Sequence, residues 1–251
     1  MFARLQKTTL LICFCFTILF IREVNAQSIT IYGGPSLPVG LYGAKDFPLS
    51  ENGIASTGFH TGLVYDFKPK SNYFNMYAGL EYNKNKVNEE AFNRLILYNN
   101  PDLRSVQILK SWNQGAIMFG GKIRYSNQHY DLFGKLGLGI SWLGSPAYNL
   151  NYDSALIIKW KNAVVVTGMA QIGLGANIHI NHGVSLFTGM DLMLARPDYG
   201  TIKFTDTNGN PVSTSLENLK VPFTAFQFSL GIRFNILEPE LGSKRLPVPG
   251  K

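Results

Sequence analysis

Apolar and polar residues alternate with a period of two through most of this chain. Between positions 130 and 142, Tyr130, Leu132, Leu136, Leu138, Ile140 and Trp142 share one parity, and Asp131, Phe133, Lys135, Gly137, Gly139 and Ser141 share the other. Val164, Val166, Ala170, Ile172, Leu174, Ile178 and Ile180 oppose Thr167, Gln171, Asn177 and His179 in the same way. Near the end, Phe226, Phe228, Leu230, Ile232 and Phe234 oppose Gln227, Ser229, Gly231 and Arg233. Such alternation is the mark of a strand with two unlike faces. It predicts strands over 28–42, 56–66, 73–83, 114–125, 130–142, 163–180, 184–195 and 221–235. Each is long enough to cross a bilayer, for which a tilted strand needs roughly 9 to 11 residues.

The connections between these segments alternate in length: roughly thirteen, six, thirty, four, twenty, three and twenty-five residues, the asymmetry of barrels with tight turns on one side of a membrane and long loops on the other. The expected fold is all-β, an eight-stranded antiparallel up-and-down transmembrane β-barrel. The tight connections Lys68 to Asn72, Ser126 to His129 and Asn181 to Gly183 are polar breaks of hairpin type. Pro35 and Pro38 interrupt the ladder of the first strand and predict a bulge or an early departure from the sheet.

Charge follows parity. Glu81, Lys122, Arg124, Asp131, Lys135, Asp191 and Arg233 all fall on the polar face; a basic residue facing lipid at mid-depth would cost about 2 to 4 kcal/mol. Glycines gather on that face too, among them Gly58, Gly62, Gly79, Gly120, Gly137, Gly173 and Gly231. An eight-stranded barrel has an interior just wide enough for side chains, and residues without bulk make room there for Arg, Lys and Tyr. The pattern therefore predicts a plugged lumen. Tyr65, Phe74, Tyr125, Tyr130 and Phe234 near the short turns, with Tyr82 and Trp142 near the long loops, fit interfacial girdles. Period two does not say which face is which. A soluble lipocalin-like barrel, apolar inward, is the alternative, and the charged, glycine-rich face fits a packed lumen better than a solvent surface.

The first twenty-six residues read as a secretory leader: Arg4 and Lys7, an apolar run from Thr8 to Ile21, and the small-residue ending Val24-Asn25-Ala26. Both cysteines, Cys13 and Cys15, lie inside it, so a mature chain would carry no thiol for a disulfide or thiolate site. After Ala26 no stretch offers eighteen consecutive apolar residues, so a membrane would have to be crossed by strands. The formal net charge of +7 is diffuse and falls further without the leader; lacking a basic cluster or stripe, it argues against nucleic acid. The expected organisation is a leader over 1–26, a barrel over 27–236 and a Pro-rich periplasmic tail over 237–251.

Several segments carry a resemblance: the opening Ile29-Thr30-Ile31-Tyr32-Gly33-Gly34, the run Gly134-Lys135-Leu136-Gly137-Leu138-Gly139, and the close Phe228-Ser229-Leu230-Gly231-Ile232-Arg233-Phe234. With these the chain resembles the small outer-membrane β-barrel domain family of Gram-negative bacteria, OmpX-like in architecture and closest to the Bacteroidetes type. The resemblance implies outer-membrane localisation, with membrane lipid and the barrel-insertion machinery as partners, and transfers no active site. The chain departs from the family in continuing past Phe234.

Candidate chemistry is sparse. The charges of the polar face are expected to form a structural network, with Arg124, Asp131 and Arg233 close enough to pair near the periplasmic rim. His60 and His179 also point inward, but no nucleophile, base and acid assemble from spacing alone, and no metal or cofactor site is expected. In loop two, 89–98 predicts a short amphipathic helical turn; in loop four, 201–213 predicts a hairpin around Asn208-Gly209. Asp206, Asn208 and Asn210 lack the remaining ligands of a calcium loop. Phe92, Leu95, Tyr98, Trp160 and Phe204 are candidates for surface contact or for packing on one another as a lid. The expected role is non-enzymatic: adhesion, docking of an envelope or surface partner, or envelope integrity. A narrow transporter or accessory subunit and a lipid-modifying enzyme are the alternatives.

Overall fold

The computed structural model describes residues 27–45, 52–67, 73–99, 102–152, 157–206 and 208–236. The expected leader, the turn 68–72 and the tail 237–251 lie outside them. In chain order the elements are β1 (Gln27–Pro38), β2 (Ala55–Phe67), β3 (Phe74–Val87), α1 (Glu89–Asn99), β4 (Leu103–Lys110), β5 (Trp112–Ser126), β6 (Tyr130–Gly144) and β7 (Ala147–Tyr152). They continue with β8 (Ile157–Trp160), β9 (Val164–His179), β10 (Val184–Ala195), β11 (Gly200–Thr205), β12 (Pro211–Leu219) and β13 (Phe223–Asn235).

Eight of these strands close an antiparallel barrel in the order β1-β13-β10-β9-β6-β5-β3-β2. Closure is made by β1 against β13 in one constant register, from Ser28 opposite Asn235 to Pro38 opposite Ala225, with the ladder interrupted at Gly34 and Pro35. The expected interruption at Pro35 is present without a shift of register; the chain makes the expected early departure at Pro38, short of residue 42, and turns through a 3-10 segment, Gly40–Tyr42. A closed sheet leaves no edge strand, so the wall pairs its backbone groups from strand to strand, as lipid requires.

The side chains sort as their parity predicts. Ile117, Phe119, Leu136, Leu138, Ile140, Ile172, Leu174, Leu230 and Ile232 face outward and are exposed, whereas Glu81, Lys122, Lys135, Asp131 and Asp191 are buried inside. This excludes the lipocalin-like phase, in which the aliphatic rows would converge. Phe74, Tyr125, Tyr130 and Phe234 at the turn end, with Tyr82 and Trp142 at the loop end, are exposed on the same outer face. The inward glycines lie beneath bulky groups: a side chain at Gly62 would strike the Tyr32 ring, and one at Gly137 the Tyr77 hydroxyl.

The long connections hold more structure than period two reveals. β4, β7, β8, β11 and β12, contributed by three loops, form a second sheet in the order β12-β11-β8-β7-β4. The expected helical turn is α1, whose N-terminus is capped by the Asn88 side chain accepting from the Ala91 N–H at 3.0 Å. Glu89 and Glu90 in the first turn suit the positive end of the helix dipole. The expected hairpin of loop four is β11–β12. β4 and the β7–β8 hairpin are absent from the sequence reading.

Leu138, 72% exposed near the middle of β6, tests the lipid-facing phase. Leu138→Arg is expected to destabilise the barrel by about 2 to 4 kcal/mol, measured by urea unfolding from vesicles, with little change for Leu138→Ile.

Candidate functional site

Two regions hold chemistry: the lumen and the sheet above it. At the turn end of the lumen, Asp131 from β6 is the centre of a charge cluster. Its Oδ2 lies 3.5 Å from Arg124 Nη1 and 3.5 Å from Arg233 Nη1, and its Oδ1 lies 3.4 Å from His179 Nε2. Arg233 Nε donates to Ser28 Oγ at 2.9 Å, and that hydroxyl donates to Asp66 Oδ2 at 3.3 Å. Asp66 in turn pairs with Lys122. The expected Arg124, Asp131 and Arg233 grouping is thus brought together. Asp66 is not among the expected lumen charges, although its parity on β2 is that of His60 and Val64; it sits next to the end of β2, where parity is least informative.

Midway, Lys135 pairs with Asp191 at 2.9 Å. Glu81 Oε1 accepts from Tyr32 Oη and Gln171 Nε2, both at 2.8 Å, and Tyr77 Oη donates to Gln171 Oε1 at 2.8 Å. Lys122 and Lys135 lie over the faces of Tyr77, Phe133 and Tyr32 at 5.1 to 5.9 Å from the ring centroids. Above them the mouth is closed by Tyr42, whose ring meets Trp112 at 5.6 Å and Phe223 at 4.9 Å. Trp112 Nε1 donates to Gly53 O at 2.8 Å, fixing this lid to the chain that follows β1.

One arrangement has no counterpart in the sequence reading. His179 Nδ1 lies 2.9 Å from Ser185 Oγ while its Nε2 faces Asp131, because His179 and Ser185 are direct partners across the β9–β10 turn. The order Ser, His, Asp has the outline of a nucleophile relay. Ser185 is fully buried and Asp131 is held by two arginines, so the group lacks an approach for a substrate carbonyl and serves as structure. His60, on β2, directs Nε2 at Phe228 O, 3.2 Å away. Among the described residues no group of three or more His, Cys, Asp and Glu is placed to hold a metal ion.

Above the mouth, the second sheet turns one face to the lid. Phe92 from α1 stacks on Tyr148 at 4.3 Å, Trp160 meets Tyr148 edge-on at 5.1 Å, and Phe204 lies against Trp160 at 5.4 Å. Phe92 and Trp160 are buried and Phe204 half-buried; the side chains of Leu95 and Tyr98 lie outside the described residues. A cavity of about 20 Å³ remains between this layer and Trp112, room for a water and not for a ligand. Across the β4–β7 pair the opposite face carries polar groups: Asn149 Nδ2 donates to Gln107 Oε1 at 3.4 Å and Asn151 Nδ2 to Ser105 Oγ at 3.0 Å.

At the β11–β12 turn, Asp206 Oδ1 accepts from the Asn208 and Asn210 N–H groups at 2.8 Å each. Its oxygens therefore serve the turn. The backbone bond from Asn210 is the main cause holding the Asp206 carboxyl below its ordinary range.

No protein-family model and no curated protein matches the chain. Its structure is similar to that of a major outer membrane protein from Thermus thermophilus, with a TM-score of 0.51 and 10% identity over 84% of this chain and 99% of that one. Looser likenesses, each at a TM-score of 0.40, are to Neisserial surface protein A, 9% identical over 83% of this chain and 94% of that one, and to Ail, the attachment invasion locus protein of Yersinia pestis, 12% identical over 84% and 100%. At these identities the likeness is one of fold. With its apolar outer wall and charged core, the chain is a β-barrel of the outer-membrane type.

Removing Asp131 leaves two buried arginines unpaired. Asp131→Ala is expected to cost about 3 to 5 kcal/mol, read from heat-modifiable gel mobility and urea titration; unchanged stability would show that the cluster is not held by this carboxylate. The Asp206 carboxylate supports its turn above the ordinary carboxylate range, and that support is lost as pH falls through the lowered value. In NMR spectra the Asn208 and Asn210 amides are expected to shift only at more acidic pH than a model aspartate titrates, and not on addition of calcium.

Proposed function

We propose that this protein is a non-enzymatic outer-membrane protein whose sealed barrel anchors a folded platform for contacts outside the cell. The supporting observation is the pairing of two features. The lumen is filled from the Asp131 cluster to the Tyr42–Trp112 lid, and three loops join in one five-stranded sheet. A filled barrel favours anchoring over transport, and a sheet with one apolar face buried and one polar face outward favours a surface that meets a partner. Phe92, Trp160 and Phe204 then act by holding the platform on the lid, and Ser105, Gln107, Asn149 and Asn151 supply the outward polar face. Adhesion, docking of an envelope partner and support of envelope integrity are the roles such a surface serves. In the same reading the leader is removed on export and the insertion machinery places the barrel in the membrane.

The reading is tested on intact cells and in planar bilayers. Reconstituted protein is expected to give no stable single-channel steps; regular steps would favour the transporter reading. Protease applied to intact cells is expected to release fragments from 88–111 and 196–222. Gln107→Glu with Asn149→Glu is expected to weaken attachment to host cells or matrix at unchanged thermal midpoint, while Trp160→Ala lowers both. Lipid turnover altered by His60→Ala or His179→Ala would instead point to a hydrolase.

A further inference from the structure

The lumen charges do not balance locally. Four cations, Lys122, Lys135, Arg124 and Arg233, accompany four carboxylates, Asp66, Glu81, Asp131 and Asp191, among the described inward residues. Two arginines share Asp131 at the turn end, so Glu81 has no cation of its own. Higher in the lumen Glu81 and Asp191 have only Lys135 between them, which leaves one negative charge away from water. An uncompensated carboxylate in such a place is costly unless a counter-charge arrives.

The same region holds unpartnered polar atoms. Neither amide atom of Asn83 or of Gln227 is hydrogen-bonded, and Gln114 Oε1, Glu81 Oε2, Asp191 Oδ1 and His60 Nδ1 also lack partners. All six residues are at least nine-tenths buried. The groups are contiguous: Asn83 is the direct cross-strand partner of both His60 and Gln114, Gln227 is that of Asp191, and Glu81 is two residues from Asn83 on the same face. His60 Nε2, 3.4 Å from Ser229 Oγ, joins the two halves.

We propose that the upper lumen binds one alkali cation, with water completing its shell, between the Glu81 and Asp191 carboxylates and the amide oxygens of Asn83, Gln114 and Gln227. Water alone can serve the amides but does not neutralise Glu81. Hard cations take oxygen ligands, and a single unmatched charge among neutral amides suits a monovalent ion. Entry runs past the Tyr42 and Trp112 lid, so exchange is slow and equilibration needs time in the ion.

The test is the thermal midpoint of the full-length folded barrel in detergent, at fixed pH, urea and ionic strength, as choline chloride is replaced by sodium or potassium chloride. Stabilisation is expected to grow logarithmically once the ion exceeds its dissociation constant. Glu81→Gln, which keeps an acceptor for Tyr32 but removes the charge, should abolish the response, whereas Asp66→Asn should lower the midpoint and keep it. Should Glu81→Gln fail to fold, Gln227→Leu and Asn83→Leu serve, each expected to raise the half-saturating ion concentration at least about tenfold, the equivalent of one lost ligand of about 1.4 kcal/mol. Identical midpoints in choline, sodium and potassium, or a midpoint that follows pH alone, would overturn the proposal, since a proton would then be the counter-charge. An ion response that survives unchanged in the lumen variants would overturn it too.

Discussion

Closure of the sheet after eight strands is the constraint from which the other features follow. In lipid the backbone must be hydrogen-bonded within the wall, and the β1–β13 pairing that closes the barrel meets that demand at the seam. Eight strands fix an interior with room for one layer of side chains from each wall. Tyr32 and Tyr77 enter it only because Gly62 and Gly137 lie beneath them. Lysines and arginines enter only because carboxylates and ring faces meet them, as Lys122 does with Asp66 and Tyr77. A barrel with more strands would have water for these charges; this one must solve their desolvation internally.

A full interior moves the available surface to the ends. At the turn side the two described connections are tight and use asparagine side chains as local acceptors: Asn127 Oδ1 takes the His129 and Tyr130 N–H groups, and Asn181 Oδ1 those of Gly183 and Val184. The loop side has chain to spare. Its apolar residues bury one another, and strands too short to stand alone become stable as a sheet of five with one apolar face. β8 contributes four residues, yet Trp160 within it touches both Tyr148 and Phe204 and so joins loop three to loop four.

Which parts were legible in the sequence depends on how far a pattern runs. Strands of 12 to 16 residues such as β6, β9 and β10 repeat their alternation often enough to fix which residues share a face; parity groups Lys135, Asp131 and Arg233 on the charged face, and it is their charge that turns that face to the lumen. β7 and β8 offer six and four residues, too few for a period to stand out, and their neighbours β4 and β11 come from other loops. Pairing between loops is a tertiary fact with no local signal. The Ser185, His179 and Asp131 alignment has the same origin: it needs the register of β9 with both β10 and β6. Asp66 is a different case, visible by parity but next to the end of β2, where the phase of a strand is least secure.

Barrel and platform are mechanically one body through Trp112. It opens β5, so its backbone belongs to the barrel wall, opposite Asn85 of β3. Its indole donates to Gly53 and its ring meets Tyr42 of the lid and Tyr199, which precedes β11. A rigid scaffold presenting a surface loses less freedom on contact than separate loops would, because the ordering is already done in the free protein. The same residue bounds the water-sized cavity beneath Phe92 and Trp160. Any motion that opened the lumen from outside would have to lift the platform with the lid, breaking the Trp112–Gly53 bond and the aromatic layer together. That coupling is why a filled barrel and an ordered outer sheet belong to one design: each keeps the other closed.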